Sequence, residues 1–332
     1  MVAFLDMARF YSPDEIDPSI LLSSTVAVLG YGNQGHAHAL NLRDSGASVV
    51  VGAREGKGAD SAKAAGFEVL SFEEATEAAE IIMLTLPDLA MGKIFEGNVG
   101  PRLRPGQAIL FAHGFTIRYG LISPPQDVDV ILISPKGAGA KVREEFIAGR
   151  GLAALVAVEQ DFSGGALSRA LAYAWGLGCA RSVILETSFA EETETDLFGE
   201  QAVLCGGIPE LIKAAFDQLV AAGYQPEVAY FECLHEAKLI TDLIYSRGLS
   251  GMREAISDTA EWGGFMAGPK VIGPESRAAM ALLLKQVRNG EFTRQWMGED
   301  ASGRTNLGAA RGEEKAHGIE EVGEELRRRM QI

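Results

Sequence analysis

At 332 residues, with 47% hydrophobic and 23% charged side chains, the chain is long enough for two domains that each bury a core. A formal net charge of −15 excludes nucleic acid or an anionic membrane as the main partner. It does not exclude an anionic small molecule, which answers to local cations.

The three cysteines, Cys179, Cys205 and Cys233, lie far apart without CxxC spacing. They read as packing residues of a reducing compartment, not as a disulfide frame or zinc site. No apolar run reaches the length of a membrane span, and no basic region followed by an apolar core opens the chain, so a cytoplasmic location is expected.

In chain order, residues 1–24 read as an arm leading into a first strand at 25–29, an unbroken apolar run of the buried parallel kind. Next comes Gly30-Tyr31-Gly32-Asn33-Gln34-Gly35, a helical segment ending near Gly46, and a second strand at 48–51. Strand, GxGxxG, helix and strand form the context of a dinucleotide fingerprint. In that motif Gly30 permits the tight turn, Gly32 lets backbone amides approach a pyrophosphate, and Gly35 allows close helix–strand packing. Tyr31, Asn33 and Gln34 complete the cofactor-binding loop. A tight turn without a ligand is the bland alternative.

Beyond the second strand stand Arg54 and Lys57, cations suited to a 2′-phosphate, which points to NADPH. Glu55 between them leaves NADH open, and Lys57 as a solvated loop lysine is the plain alternative. Strand-like runs recur at 81–84, 108–111, 130–133 and 152–158, with a helical segment at 73–80 among them. The N-terminal region is therefore expected to be an α/β domain of the Rossmann type, a doubly wound parallel sheet over residues 1–184. His113 and Lys136 follow strands at the ends where such folds bind ligands.

From about Val183 the pattern becomes helical, with segments at 196–204, 210–222, 232–245, 250–261, 276–289 and 319–330. An all-helical domain is expected over 185–332. Residues 191–200 hold five carboxylates, and Glu192, Asp196 and Glu200 would share one helix face. Alone, such a run is a solvated face. A second i,i+4 pair, Glu232 and Glu236, sits in apolar sequence, and two such pairs point to a two-metal site for hard cations such as Mg²⁺.

These features together resemble class I ketol-acid reductoisomerase nearly end to end. The matching stretches are 30–46, Ala112-His-Gly-Phe115, Pro135-Lys-Gly137, 191–207, Phe231-Glu-Cys-Leu-His-Glu236 and Ile256-Ser-Asp-Thr-Ala-Glu261. The resemblance implies a knotted, intertwined helical domain and a homodimer with shared active sites. Asp196 and Glu200 would be metal ligands from one subunit, and Glu232 and Glu236 those supplied by the other, around two Mg²⁺ ions. Glu192 would support the metal site and proton transfer, with Lys136 and His113 beside it. Ser257 would hold the substrate carboxylate.

The implied reaction is alkyl migration in 2-acetolactate or 2-aceto-2-hydroxybutyrate, followed by NADPH reduction to the 2,3-dihydroxy acid. The chain departs from the family pattern at Ala138 and Ala140, where Pro and His are usual, and at Glu254 and Ala255 before Ser257. It also lacks the usual serines at Lys57 and Ala59. Two other readings compete: a paralogous reductase acting on another keto or imine substrate, and a non-catalytic dinucleotide-binding module.

Overall fold

A computed structural model describes residues 8–332, so the first seven residues of the expected arm lie outside it. The chain forms two compact units, the first ending at Thr193 and the second covering Glu194–Ile332. The change to helical sequence read at 184/185 falls in the last strand of the first unit, and the division falls inside the next helix.

The first unit begins with β1 (Phe10–Tyr11), α1 (Ser19–Leu22), β2 (Thr25–Leu29), α2 (Asn33–Asp44) and β3 (Ser48–Gly52). It continues through α3 (Lys57–Ala64), β4 (Val69–Leu70), α4 (Phe72–Ala78), β5 (Ile81–Leu84), α5 (Asp88–Ile94), β6 (Ala108–Phe111) and α6 (Phe115–Arg118). The last elements are β7 (Asp129–Pro135), α7 (Gly139–Ile147), β8 (Ala154–Gln160), α8 (Ala166–Gly176), β9 (Ile184–Glu186) and α9 (Phe189–Gly199), which carries the chain across the division. The strands form one sheet in the order β1-β9-β8-β7-β6-β5-β2-β3-β4.

The strands are apolar at consecutive positions because both faces are covered. Val26, Val28, Ile81, Met83, Leu110 and Ile131 enter the core on one face, with α2 and α8. The alternate residues Ala27, Leu29, Ile82, Leu84, Ile109 and Leu132 enter the core on the other, with Phe72, Met91 and Phe189. Each buried Leu, Ile or Phe contributes roughly 1.5–3 kcal/mol on leaving water, so a register slip along these strands is strongly disfavoured.

Strands β2 to β7 pair in parallel, as their unbroken apolar runs predict. The edge beyond them is mixed. β8 pairs antiparallel with β7, and β1 antiparallel with β9, so the expected strand at 152–158 enters the sheet against the direction of its neighbour. A buried carboxylate secures the start of β7. Asp129 accepts from the Phe162 and Ser163 amides, both at 2.9 Å, and from the Ser163 hydroxyl and Arg169 at 2.7 and 2.8 Å.

The second unit is helical. α9 runs into a π turn (Glu200–Leu204), followed by α10 (Gly207–Ala221), α11 (Pro226–Tyr230), a second π turn (Phe231–His235) and α12 (Glu236–Glu254). Next come α13 (Asp258–Val271), α14 (Pro274–Arg288), α15 (Glu291–Ala301), α16 (Thr305–Lys315) and α17 (Gly318–Met330). Its buried core is small: Phe216, Ala229, Tyr230, Ile319 and Leu326.

The continuous helix expected over 250–261 does not form. Ser257 is extended (φ −71°, ψ 151°), and its hydroxyl accepts from the Ala260 amide to cap α13, so one helix ends and another starts within that span. Among the described residues, no helix is long and apolar enough to cross a membrane.

His38, on α2, is fully buried and bonds the Tyr173 hydroxyl of α8 through Nδ1 at 3.1 Å. Burial, with a smaller push from His36, lowers its pKa to about 3. The folded state therefore keeps this ring neutral while the unfolded chain protonates it below about pH 6.5. The stability is present above pH 6.5 and is lost as pH falls from there toward 3. Urea unfolding between pH 7 and 5 should show His38→Gln losing stability less steeply than the parent, by up to about 1.4 kcal/mol per pH unit. Parallel pH profiles would remove His38 as the source.

Candidate active site

The sheet order reverses between β2 and β5, and ligands of open α/β sheets bind beyond the strand ends at such a point. A cleft of about 850 Å³ lies there, lined by the glycine turn, the Ala53–Ala59 loop, Leu84–Asp88, Met91, Ala112 and His113. Gly30 turns with φ 100°, and a Cβ on it would lie 2.7 Å from the Thr85 carbonyl oxygen. A Cβ on Gly35 would sit 2.1 Å from the Gly30 oxygen, so α2 could not approach the strand with any other residue there. Around Gly32, by contrast, the space is open. The first turn of α2 thus presents bare backbone amides and its positive dipole end to the cleft, which fits a pyrophosphate.

Tyr31, Asn33 and Gln34 line the same cleft, as do Arg54 and Lys57, both exposed, with Glu55 between them. The two cations expected at the 2′ position therefore flank an acid on one loop.

At the ends of β6 and β7 the structure gathers two of the sequence-derived residues, His113 and Lys136, around a third, Glu192. Glu192, on α9, is wholly buried. Its Oε2 accepts from His113 Nδ1 and the Gly114 amide, each at 3.0 Å. Its Oε1 accepts from the Ser134 hydroxyl at 2.8 Å and from Lys136 Nζ at 3.1 Å. Burial alone would push this carboxyl up, and it is the largest single influence. The bond to His113, the charges of His113 and Lys136 and the Gly114 amide together outweigh it and hold the pKa down at about 2.

Glu192 is therefore an anion, and an ionised carboxylate only accepts hydrogen bonds. His113 therefore carries a proton on Nδ1, the nitrogen that faces Glu192. The Lys136 and His113 side chains remain 33% and 22% exposed, so both reach toward solvent from a dry anchor.

Ser134 and Gly114 were not singled out in the sequence. Ser134 lies two residues before Lys136 at the end of a strand, and Gly114 follows His113, which is the only local signal they carry.

Each oxygen of Glu192 thus has two donors. Asp196 stands one turn further along α9, half-buried, and Glu200 opens the first π turn, exposed. Glu232 lies in the second π turn and Glu236 begins α12, both exposed. Neither Glu232 nor Glu236 falls in a group of three or more potential metal ligands among the described residues. All four are hard oxygen donors of the kind Mg²⁺ takes, and the π turns at both pairs are the helical irregularity that often marks functional positions. Ser257 is exposed, at its capping position.

Residues 20–183 match the family model described as acetohydroxy acid isomeroreductase, NADPH-binding domain. Residues 189–332 match that described as ketol-acid reductoisomerase, C-terminal domain. The chain is also similar to the solved structure of an NADH-preferring ketol-acid reductoisomerase from an uncultured archean. The two share 44% identity over 96% of this chain and 98% of that one, with a TM-score of 0.94. A semialdehyde dehydrogenase NAD-binding protein from Cupriavidus necator is 19% identical over 80% of this chain and 99% of that one, with a TM-score of 0.63. That likeness shows the fold alone.

Replacing Glu192 by Ala leaves Lys136, His113, Ser134 and the Gly114 amide without their acceptor. Urea unfolding should register a loss of about 3 kcal/mol, the low end for a broken buried pair, because Lys136 stays partly solvated. Glu192→Gln keeps the volume and an acceptor oxygen and should lose much less. Equal losses would mean that the charge, not the packing or the acceptor oxygen, holds the site.

Proposed function

The chain belongs to the ketol-acid reductoisomerase family, and from that premise we propose a Mg²⁺-dependent enzyme that prefers NADPH and works as a homodimer. Its reaction is the family's: alkyl migration in a 2-hydroxy-3-keto acid such as 2-acetolactate or 2-aceto-2-hydroxybutyrate, then reduction to the 2,3-dihydroxy acid, as branched-chain amino-acid biosynthesis requires. The paralogous reading is not favoured, because identity to a ketol-acid reductoisomerase spans nearly the whole chain. The departures at Ala138, Ala140, Glu254 and Ala255 then vary a common site. Ala138 caps α7 with φ −60° and ψ 147°, a backbone that proline also adopts.

The observation that carries the reading is the buried Glu192 anion with Lys136 and His113 on it, one helical turn from Asp196. Mg²⁺ bound by carboxylates would polarise the substrate's ketone and hydroxyl oxygens, and the dinucleotide would supply the hydride. The chain's own residues do the rest. Glu192 aims Lys136, so that Lys136 can pass a proton to or from the substrate oxygens. His113, held in one tautomer, lines the dinucleotide cleft and helps to exclude water from it. Asp196 and Glu200 would hold metal from one copy of the chain, and Glu232 and Glu236 of a second copy would complete the set.

That second copy is supported by the second unit's apolar exposure: Tyr245 is 93%, Leu249 69% and Trp262 68% exposed, far above what a lone helical bundle leaves to water. Ser257 accepts one bond at its cap, and its O–H remains able to donate to a substrate carboxylate.

For the reductant, Arg54 and Lys57 outnumber Glu55, which supports NADPH over NADH by a narrow margin. The test is dinucleotide oxidation with 2-acetolactate, comparing NADPH with NADH, with and without Mg²⁺. Turnover should require Mg²⁺, and kcat/KM should be higher with NADPH. Lys57→Ser should lower that ratio about tenfold, as loss of one charge-assisted hydrogen bond implies, and Glu55→Ser should raise it. A ratio that favours NADH in the parent and ignores both substitutions would sink the assignment of the loop. Full Mg²⁺-dependent turnover by Glu232→Gln would do the same for the metal set.

A further inference from the structure

We propose that Gln34 is a positioning residue for Lys136: its side-chain amide ties the dinucleotide turn to the loop that carries the lysine. The proposal rests on the reading of Lys136 and of the glycine turn given above.

Gln34 lies in the first turn of α2, at the mouth of the cleft. Its Nε2 donates to the Gly137 carbonyl at 3.0 Å, across 103 residues of chain and one residue past Lys136. Its Oε1 is buried and has no hydrogen-bond partner among the described residues. An apolar side chain could fill this space without burying an unpaired oxygen, so what the amide alone supplies is the donor to Gly137.

The two segments are also pressed together. A Cβ on Gly139, the first residue of α7, would lie 1.5 Å from the Asn33 carbonyl oxygen. Farther along the two helices, Asn41 Nδ2 donates to the Val142 carbonyl at 3.3 Å, and Arg143 donates to Asn41 and Asp44 at 2.9 and 2.6 Å. α2 and α7 therefore move as one piece, and the 136–138 loop between β7 and α7 is held to that piece by Gln34.

Lys136 is fixed on three sides. Its amide donates to the Ala153 carbonyl at 2.8 Å, its ammonium bonds Glu192, and the peptide after it is held by Gln34. A dinucleotide that settles on the first turn of α2 thereby steadies the lysine that serves the other substrate. The backbone amides that face the pyrophosphate are not altered by changing the Gln34 side chain.

The experiment measures dinucleotide Kd by fluorescence titration and kcat for 2-acetolactate in the full chain carrying Gln34→Leu, Lys136→Met or both. Gln34→Leu should lower kcat by about 10- to 100-fold, the scale of a misplaced catalytic group, and change Kd by less than about threefold. In the Lys136→Met background the same substitution should lower kcat no further, because both act through one group. Gln34→Glu, which keeps the volume but cannot donate to the Gly137 carbonyl, should repeat the result if the leucine variant folds poorly.

A normal kcat for Gln34→Leu and Gln34→Glu, beside a crippled Lys136→Met, overturns the positioning role and leaves the reading of Lys136 intact. Equal losses in Kd and kcat, or full additivity with Lys136→Met, also overturn it. A fully active Lys136→Met removes the reading of the lysine itself, and the proposal with it.

Discussion

The first unit's chemistry depends on one buried anion. Glu192 arrives on α9, and its donors come from the ends of two neighbouring strands, β6 and β7. A carboxylate taken wholly out of water is costly unless its oxygens are matched by donors. Here the match is complete, with two donors on each oxygen. The same bonds that make the charge tolerable fix the His113 tautomer and the direction of Lys136, so the stability of the site and its chemical order have a common origin.

That arrangement makes sense of where the polar residues lie. Strands buried on both faces can place polar side chains only at their ends, and the carboxyl ends of β2, β5, β6 and β7 all open on the same edge of the sheet. The dinucleotide cleft forms where the strand order reverses, and the Glu192 cluster forms beside it, with His113 common to both. α9 then carries the carboxylate stripe onward from Glu192 to Asp196 and Glu200. Glu192 itself is taken up by the donors of β6 and β7.

The second unit is built differently. Its buried core is small, and large apolar side chains on α12 and α13 meet solvent. Glu232 and Glu236 are exposed on the far pair of that unit, outside any ligand group that the described residues form. A helical layer with so little core of its own leaves much apolar surface to solvent.

Much of this was legible in the residues alone. The parallel strands were readable because burial on both faces demands an unbroken apolar run, and the glycine turn because its backbone admits no Cβ at Gly30 or Gly35. The i,i+4 carboxylates were readable because helical spacing is local. What only the tertiary structure decided is how distant pieces meet. Ser134 and Gly114 join Glu192 across 58 and 78 residues, and Gln34 reaches Gly137 across 103. β8 runs antiparallel because a connection, not its own sequence, sets its direction. Ser257 caps a helix where helical spacing suggested continuity, because a hydroxyl that can bond its own backbone competes with the helix around it. Periodicity and backbone sterics are properties of neighbours in the chain; the donors that make a buried charge stable are chosen by the fold.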